Sequence, residues 1–150
     1  FSTNMTYKKW NAGFVLRASL GNYDYNNNYS QTGNLNQILG NYVLYNASAN
    51  YLTTQFKGGN VQELLSDYYI QNASFLRMDN INIGYNVGKI SKTNWNLRLN
   101  ASVQNVFVIT KYTGLDPEIA ANAQTLGNPG IDNRLYPRPR VYYLSLTFGF

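Results

Sequence analysis

The acid–base chemistry that this sequence could support rests on one pair of carboxyl groups. Asp116 and Glu118 flank Pro117 in the segment GLDPE, and no other two acidic residues are so close in the chain. A glycoside hydrolase needs two carboxyl groups on either side of the scissile bond. The alternative is a rigid turn whose carboxylates cap backbone amides or pair with Arg138 or Arg140. The proline favours the turn, and we expect no enzyme activity.

Other catalytic chemistries lack the side chains that they need. The 150 residues include no Cys and no His, which excludes disulfides, thiol nucleophiles, imidazole bases and the usual zinc and copper sites. We therefore expect no metal and no cofactor. The net charge of +5 comes from scattered Lys and Arg residues, with Lys8–Lys9 as the only adjacent pair. A nucleic-acid partner would require a basic patch, and we expect none.

Tyrosines in the long connecting segments are the candidates for substrate contacts. Flat rings can stack on sugars while neighbouring amides bind hydroxyl groups, although such residues are ordinary in extracellular loops of any kind. The candidates are Tyr42, Tyr45, Tyr51, Tyr68 and Tyr69.

The elements that would position these residues are β-strands of alternating character. In the last nine residues, apolar side chains fall on one face and small or polar side chains on the other. The apolar face holds Tyr142, Leu144, Leu146, Phe148 and Phe150. Such a strand fits a soluble sandwich, or a membrane-spanning strand with one face in lipid and the other in a lumen. The final Phe150 favours the membrane, because outer-membrane barrels commonly end on a Phe that their assembly machinery recognises.

The same alternation predicts strands elsewhere in the chain. They are Asn11–Tyr25, Ala73–Val87, Trp95–Phe107 and Arg138–Phe150, with a shorter strand at Ser2–Tyr7. One face of the 95–107 strand carries five consecutive polar residues, from Asn96 to Gln104, which suits a wet lumen. In the 73–87 strand, Arg77 and Asp79 fall on the apolar face. We expect that part to project beyond the membrane, where a charge costs less than the ~2–4 kcal/mol of an Arg at the bilayer midplane.

The connections between the predicted strands alternate in length. Residues 8–10 and 88–94 form short turns, whereas residues 26–72 and 110–137 form long loops. Outer-membrane barrels have short periplasmic turns and long extracellular loops. Within the first long loop, short helices are expected at Leu35–Tyr45 and Val61–Tyr69, the second with Asn60 as N-cap and Glu63 at capping-box spacing.

Five strands are too few to close a membrane barrel, whose smallest examples have about eight strands. Only 13% of the residues are charged, about half of the ~25% of a soluble domain. No apolar run reaches the ~20 residues of a membrane helix. We therefore interpret residues 1–150 as an all-β, antiparallel segment of a larger transmembrane barrel.

Three stretches resemble the C-terminal part of the SusC/RagA family of TonB-dependent outer-membrane transporters. They are SDYYIQNASFLRMDNINIGYNV (66–87), SVQNVFVITKYTGLDPE (102–118) and GIDNRLYPRPRVYYLSLTFGF (130–150). The resemblance implies a 22-stranded barrel in the outer membrane of a Gram-negative bacterium. Residues 1–150 would supply its C-terminal portion, without the plug domain and the remaining strands.

The resemblance also implies partners and a cargo. Such transporters import glycans or peptides beneath a SusD-like surface lipoprotein, and TonB pulls on the plug to release the substrate. A dimer of SusC–SusD pairs is one arrangement that it suggests. The alternative that the residues leave open is a secreted soluble β-sandwich that binds carbohydrate. A transporter predicts that the apolar face is uncovered at Leu97, Leu99, Leu144, Leu146 and Phe148, whereas a sandwich predicts a second sheet packed on it.

The resemblance assigns structural roles to the motif residues. We expect them to shape the last extracellular loop and dock it on the barrel rim, with Lys111, Asp116, Glu118, Arg138 and Arg140 in one polar network. Phe148 and Phe150 would belong to the assembly signal, in which Ser145 stands where a Gly is frequent. The motif residues are Asn105, Phe107, Lys111, Tyr112, Gly114, Asp116, Pro117, Glu118, Tyr136, Pro137, Arg138 and Pro139.

Overall fold

A computed structural model describes residues 1–33, 48–56, 61–90, 95–118, 130–133 and 136–149. The chain divides into two compact units. The sheet unit comprises Phe1–Ser19, Phe75–Thr110 and Arg138–Phe150, and the loop unit comprises Leu20–Ser74 and Lys111–Pro137. The predicted helix at 35–45, with Tyr42 and Tyr45, lies outside the described residues, as do Asn60 and Phe150.

Strands dominate the described part of the chain. The strands are β1 (Ser2–Tyr7), β2 (Trp10–Ser19), β3 (Tyr23–Asn26), β4 (Ile70–Asn72), β5 (Phe75–Lys89), β6 (Asn96–Thr110), β7 (Ile131–Asp132) and β8 (Val141–Gly149). The helices are α1 (Asn27–Thr32), α2 (Tyr51–Thr54), α3 (Val61–Leu64) and a 3-10 helix at Asp67–Tyr69. None of the helices among these residues is long and apolar enough to cross a membrane.

The sheet unit is a five-stranded antiparallel sheet in the order β1-β2-β5-β6-β8. The predicted all-β antiparallel architecture is confirmed, and so is the short turn between Tyr7 of β1 and Trp10 of β2. Strands β5 and β6 pair up to Lys89 and Asn96, and residues 91–94 between them lie outside the described residues. The predicted strand at 11–25 is wrong in its last part. The chain leaves this sheet after Ser19, passes Gly21 in the left-handed region at φ 81°, and enters a different sheet at Tyr23.

The two faces of the five-stranded sheet differ in chemistry. One row across the strands contains Met5, Ala12, Ile83, Ala101 and Leu144. Because paired residues share a face, this row belongs to an apolar face.

A neighbouring row on the opposite face contains Asn11, Gly84, Asn100 and Ser145. A Cβ on Gly84 would overlap the side-chain oxygens of Asn11 and Asn100. This face therefore carries closely packed amides with a glycine between them.

The apolar face is open along β8. Leu144 is 80% exposed, Leu146 57% and Phe148 48%. Leu97 and Leu99 are half-buried, and their cross-strand partners in β8 are Phe148 and Leu146. The exposure of β8 agrees with the transporter prediction and disagrees with a sandwich, whose second sheet would cover these side chains.

A β-bulge at Asp79 changes the predicted position of Arg77. Asp79 has no partner in β2, and the residue before it, Met78, pairs with Leu16. Met78 therefore lies with Leu16 on the apolar face, while Arg77 lies opposite Arg17 on the polar face. The expectation that Arg77 falls on the apolar face is wrong, because the extra residue at the bulge reverses which side chains point to each face. Arg17 binds Asp79 through two hydrogen bonds, one from Nη2 to Oδ1 at 2.9 Å and one from Nε to Oδ2.

The loop unit contains a second, three-stranded sheet in the order β4-β3-β7. Strand β3 pairs antiparallel with β4 and parallel with β7, so the two long loops of the sequence meet in one sheet. The predicted helix at Val61–Tyr69 is wrong as a single element. Ser66 is extended, at φ −64° and ψ 144°, and its hydroxyl accepts from the Tyr68 amide to cap the 3-10 helix.

Candidate functional site

The acidic pair of the GLDPE segment forms a turn. Asp116 Oδ1 accepts a hydrogen bond from the Glu118 amide at 2.9 Å. Asp116 and Pro117 are both buried. An Asp carboxylate that accepts from the backbone amide two residues later forms a turn, as the alternative interpretation of this segment requires. Because Asp116 is also buried, its carboxylate is poorly placed to reach a bond of a substrate.

The polar centre of the loop unit lies on one face of its small sheet. Asp24 and Asn26 point to the same side of β3 because they are two residues apart. Asp24 pairs with Gln71 on β4, and Asn26 pairs with Asp132 on β7. Three of these side chains, Asp24, Asn26 and Asp132, are buried. The sheet therefore presents a buried polar face to the segment that crosses it.

Asp132 is the centre of this face and is fully buried. Its Oδ2 accepts from the Tyr112 hydroxyl at 2.8 Å, and its Oδ1 accepts from Asn28 Nδ2 at 3.3 Å. Burial raises the pKa of Asp132, while the hydrogen bonds from Tyr112 and the Leu115 amide oppose the rise. Burial, followed by the bond to Asp132, raises the pKa of Tyr112. The tyrosine therefore stays neutral and donates to the carboxyl group.

Asp24 is the second buried carboxyl group of this face. Its Oδ2 has no hydrogen-bond partner among the described residues. Burial raises the pKa of Asp24, and the nearby charge of Asp132 raises it further. No group of three or more acidic residues arranged to hold a metal ion occurs in the described part of the chain.

The segment that follows β6 lies directly against this face. Thr113 donates to Gln71 Oε1 twice, from its amide at 3.2 Å and from its hydroxyl at 2.7 Å. A Cβ on Gly114 would overlap the Tyr112 ring and lie 2.5 Å from Asp132 Oδ2. Glycine is therefore the residue that lets the backbone approach Asp132 this closely.

A cleft of about 540 Å³ opens beside the polar face. Its walls are Asn26, Asn28, Thr32, Thr113, Gly114, Leu115, Tyr136 and Pro137. The ring of Tyr136 is 94% exposed at the edge of this cleft. Three of the predicted motif residues, Gly114, Tyr136 and Pro137, thus come together around one concave surface of amides, hydroxyls and a ring.

The predicted substrate tyrosines differ in accessibility. Tyr69 is only 1% exposed and lies inside a ring cluster, with centroids of Tyr25, Tyr29, Phe56 and Tyr68 between 5.2 and 6.3 Å away. Its ring has no surface to offer a ligand. Tyr68 is exposed and Tyr51 half-buried, and a substrate role for these two stays a prediction.

The remaining motif residues of the sheet unit hold the chain that leads into β8. Asn105 adopts φ 52°, and its Nδ2 donates to the Pro139 carbonyl at 2.8 Å. Arg140 Nε donates to the Asn105 carbonyl at 3.4 Å. Phe107 pairs with Met78. The wider network with Lys111, Asp116, Glu118, Arg138 and Arg140 would join residues of both units and stays a prediction.

Sequence reasoning did not single out Asp24, Asn26 or Asp132 as site residues. Asp132 stands in the GID segment, and Asp24 stands where an alternating strand was expected to continue. Their common face arises from a parallel pairing between residues more than a hundred positions apart. No local pattern marks such a pairing.

Comparison of the sequence with known proteins identifies transport-related relatives. The chain is 38% identical over 155 aligned residues to the TonB-dependent receptor SusC of Bacteroides thetaiotaomicron, an alignment that covers 99% of this chain and 14% of that protein. It is 35% identical over 80 residues to the TonB-dependent receptor P39 of Formosa agariphila, covering 51% of this chain and 8% of that protein. The chain thus spans a small part of these relatives. No protein-family model matches it.

Solved structures with a similar fold include two states of the RagAB peptide importer. The open-open state matches with a TM-score of 0.69 and 22% identity, over 99% of this chain and 16% of that chain. The closed-closed state matches with a TM-score of 0.65 and 21% identity, over 97% of this chain and 16% of that chain. The likeness establishes the fold as that of an antiparallel barrel segment.

Proposed function

This chain belongs to the SusC/RagA family of TonB-dependent outer-membrane transporters, and we propose that it forms part of the wall and the extracellular loops of a nutrient importer. Its relatives are receptors and transporters, and it is not an enzyme. The sheet unit would form the wall, and the loop unit would form the extracellular loops.

The two-faced sheet is the observation that carries this proposal. Lipid offers no hydrogen bonds, so a sheet in a membrane must satisfy its backbone by pairing and present apolar side chains outward. The exposed side chains of Leu144 and Leu146 on β8 meet the requirement for outward apolar side chains. The amide row at Asn11 and Asn100 on the other face suits a water-filled lumen or a plug.

We extend the proposal to the location and the partners of the importer. We propose that residues 1–150 form the C-terminal portion of a multi-pass barrel in a Gram-negative outer membrane, with the short turns in the periplasm. The free edges of β1 and β8 would pair with other strands of the same barrel. A plug elsewhere in the full-length protein would couple to TonB, and a SusD-like lipoprotein would cover the extracellular loops, in a dimer of such pairs.

The cargo class that we propose is an oligosaccharide or a peptide. The cleft beside Asp132 supports this, since the Asn28 amide, Thr113 and the exposed Tyr136 ring are side chains that recognise hydroxyls or peptide groups. RagAB, a structural neighbour, is a peptide importer, whereas the SusC relative is described only as a TonB-dependent receptor.

The membrane placement can be tested with one matched pair of substitutions in the full-length transporter. Leu146 lies on the apolar face, and Tyr143 on the same strand lies on the polar face opposite the neutral Ser102. Leu146→Arg places a charge in lipid at a cost of up to about 2–4 kcal/mol, whereas Tyr143→Arg faces the lumen. We expect the Leu146→Arg barrel to be depleted from outer-membrane fractions on heat-modifiability gels, with Tyr143→Arg near the wild-type level. Equal levels of the two variants, or loss of Tyr143→Arg alone, would contradict the proposed placement.

Transport itself is tested by uptake. A strain that lacks the gene for the full-length protein should lose growth on one class of oligosaccharide or peptide as sole nutrient, and the wild-type gene should restore it. Growth that is unchanged on every such substrate would contradict import of these nutrients.

A further inference from the structure

A depression of about 370 Å³ lies in the apolar face of the sheet unit. Its lining includes Met5, Ala12, Phe14, Ile81, Ile83 and Ala101. Ala12 and Ala101 lie in one row on either side of Ile83. We call this depression the acyl groove.

The shape of the acyl groove comes from small residues between rows of large ones. On one side, the next row contains Phe14, Ile81 and Val103. On the other side, the next row contains Trp10 and Tyr85, whose rings lie 4.5 Å apart between centroids. The methyl side chains of the alanines leave a hollow that the neighbouring side chains do not fill.

Positive charge lies at the end of the sheet nearest to the Trp10–Tyr85 row. The Lys8 ammonium group is 5.3 Å from the centroid of the Tyr7 ring, and Tyr7 shares the apolar face with Trp10. Lys9 lies beside Lys8 and donates to the Val87 carbonyl at 3.2 Å. A headgroup phosphate at this turn would therefore meet the Lys8 ammonium group on the lipid side of the sheet, with Lys9 next to it in the chain.

The distance between the Lys8 ammonium group and the acyl groove suits a single lipid molecule with its headgroup at one and its acyl chain in the other. Tyr7 and Met5 are two residues apart on one strand, a separation of about 7 Å. One leaflet supplies about 15 Å of hydrocarbon, half of the ~30 Å core. A chain that starts below a headgroup at Lys8 would therefore pass the Trp10–Tyr85 row and reach the groove within its own leaflet.

We propose that the acyl groove binds one acyl chain of a glycerophospholipid whose phosphate lies at Lys8, in the leaflet on the side of the short turns. The inference rests on the proposed membrane location and adds a specific lipid site to it. The groove is lined by hydrocarbon and offers no side-chain hydrogen bond at Ala12, Ile83 or Ala101, which suits an acyl chain rather than a polar segment of a protein. The ammonium groups at one end suit a phosphate.

The test uses the full-length transporter and variants that differ only in the groove. Ala12→Leu and Ala101→Leu fill the hollow. Ala18→Leu is the matched control, because it makes the same change on β2 and on the same face, outside the groove lining. Lys8→Gln removes the ammonium group that would bind the headgroup phosphate.

Binding of dioleoyl phosphatidylglycerol is measured by native mass spectrometry of each purified variant in delipidating detergent. We expect the wild type and Ala18→Leu to retain one more lipid than the groove variants. A groove variant should need about tenfold more lipid for the same occupancy, which corresponds to ~1.4 kcal/mol. Lys8→Gln should need roughly fivefold more, given the ~1 kcal/mol of a Lys near an anionic surface.

Two results would overturn the proposal. Equal retention by the groove variants and Ala18→Leu would show that the hollow holds no lipid. Tighter retention of lipid A than of phosphatidylglycerol would contradict the assigned headgroup and leaflet. Heat-modifiability of each variant in outer-membrane fractions separates these failures from a failure of the proposed function, because the latter would remove the wild-type barrel from that fraction as well.

Discussion

Substitution of Gly114 by Ala should open the loop unit locally, because the added methyl group has no space. Its carbon would overlap the Tyr112 ring and lie 2.5 Å from Asp132 Oδ2. Relief requires the ring or the backbone to move, and overpacking of this kind costs about 1–3 kcal/mol. If the ring moves, the 2.8 Å hydrogen bond to Asp132 is lost as well. A buried acceptor without that partner adds about 1–3 kcal/mol.

Overpacking alone therefore predicts a cost of about 1–3 kcal/mol in the free energy of local opening. If the bond to Asp132 is lost as well, the expected cost is about 2–6 kcal/mol. The assay is hydrogen exchange of the full-length transporter, followed by mass spectrometry of peptides that contain β3 and β7. A loss of 2 kcal/mol should speed exchange of these amides roughly 30-fold. The control is Gly149→Ala, because a Cβ there meets nothing within 4 Å.

A double-mutant cycle identifies which group moves. Tyr112→Phe already lacks the hydroxyl, so Gly114→Ala should cost less in that background if the methyl group acts by breaking the bond to Asp132. Additive effects would show that the ring stays and the backbone moves. Exchange in Gly114→Ala that matches Gly149→Ala would refute the steric argument altogether.

Two further predictions concern the buried carboxyl groups and the polar face of the wall. Burial raises the pKa of Asp24 and of Asp132. Above the ordinary Asp pKa near 3.8, the folded loop unit therefore still binds protons that the unfolded chain has released. The contribution of these protonated carboxyl groups to stability is full below that pH and is lost as pH rises through the folded pKa values. Asp24→Asn mimics the protonated carboxyl group, and exchange of β3 amides should show this variant gaining stability over the wild type from pH 4 to pH 7; a constant difference would contradict the raised pKa. Gly84→Val should clash with Asn11 and Asn100 on the polar face and cost about 1–3 kcal/mol, seen as less heat-modifiable barrel than Gly149→Val yields, and equal yields would show that the amides move aside freely.

The sequence predicts the wall better than the loops because a strand's faces are a local property. Alternation at Leu144 and Leu146 identifies the apolar face without knowledge of any neighbour. It fails at Asp79, where one extra residue reverses the faces of everything before it in β5. A bulge is set by its partner strands, so Arg77 cannot be assigned to a face from its own strand alone.

The candidate site could be predicted only in part, for a related reason. The motif residues Tyr112, Gly114 and Tyr136 mark the segment that forms it, but their partner Asp132 arrives through a parallel pairing of two residues on β7. A strand of two residues is too short to show an alternating pattern of apolar and polar side chains. The prediction of one helix over 61–69 is wrong because the Ser66 side chain caps the separate 3-10 helix that begins at Asp67. A serine at such a position can either continue a helix or start a new one, and the sequence does not distinguish the two.

The distribution of burial indicates what holds each unit together. The described residues with large or apolar side chains that are buried are few, and they include Tyr69, Ala73, Phe75, Tyr112 and Pro117. The largest fully buried side chains include Asn26, Asp132 and Ser30. In water, burial of apolar surface is the dominant favourable term in folding, and a five-stranded sheet whose apolar row lies exposed gains little of it.

In hydrocarbon the balance is different. Each unpaired backbone group costs several kcal/mol, so the long ladders of β5 and β6 become the main source of stability, and the exposed leucines cost nothing. The loop unit, which buries several polar side chains, depends instead on donors such as Tyr112 and Asn28 for its buried Asp132 carboxyl group. On the proposed membrane placement, the wall therefore needs lipid around it and the loop unit needs the hydrogen bonds to Asp132, and the Leu146→Arg and Gly114→Ala variants test these two requirements separately.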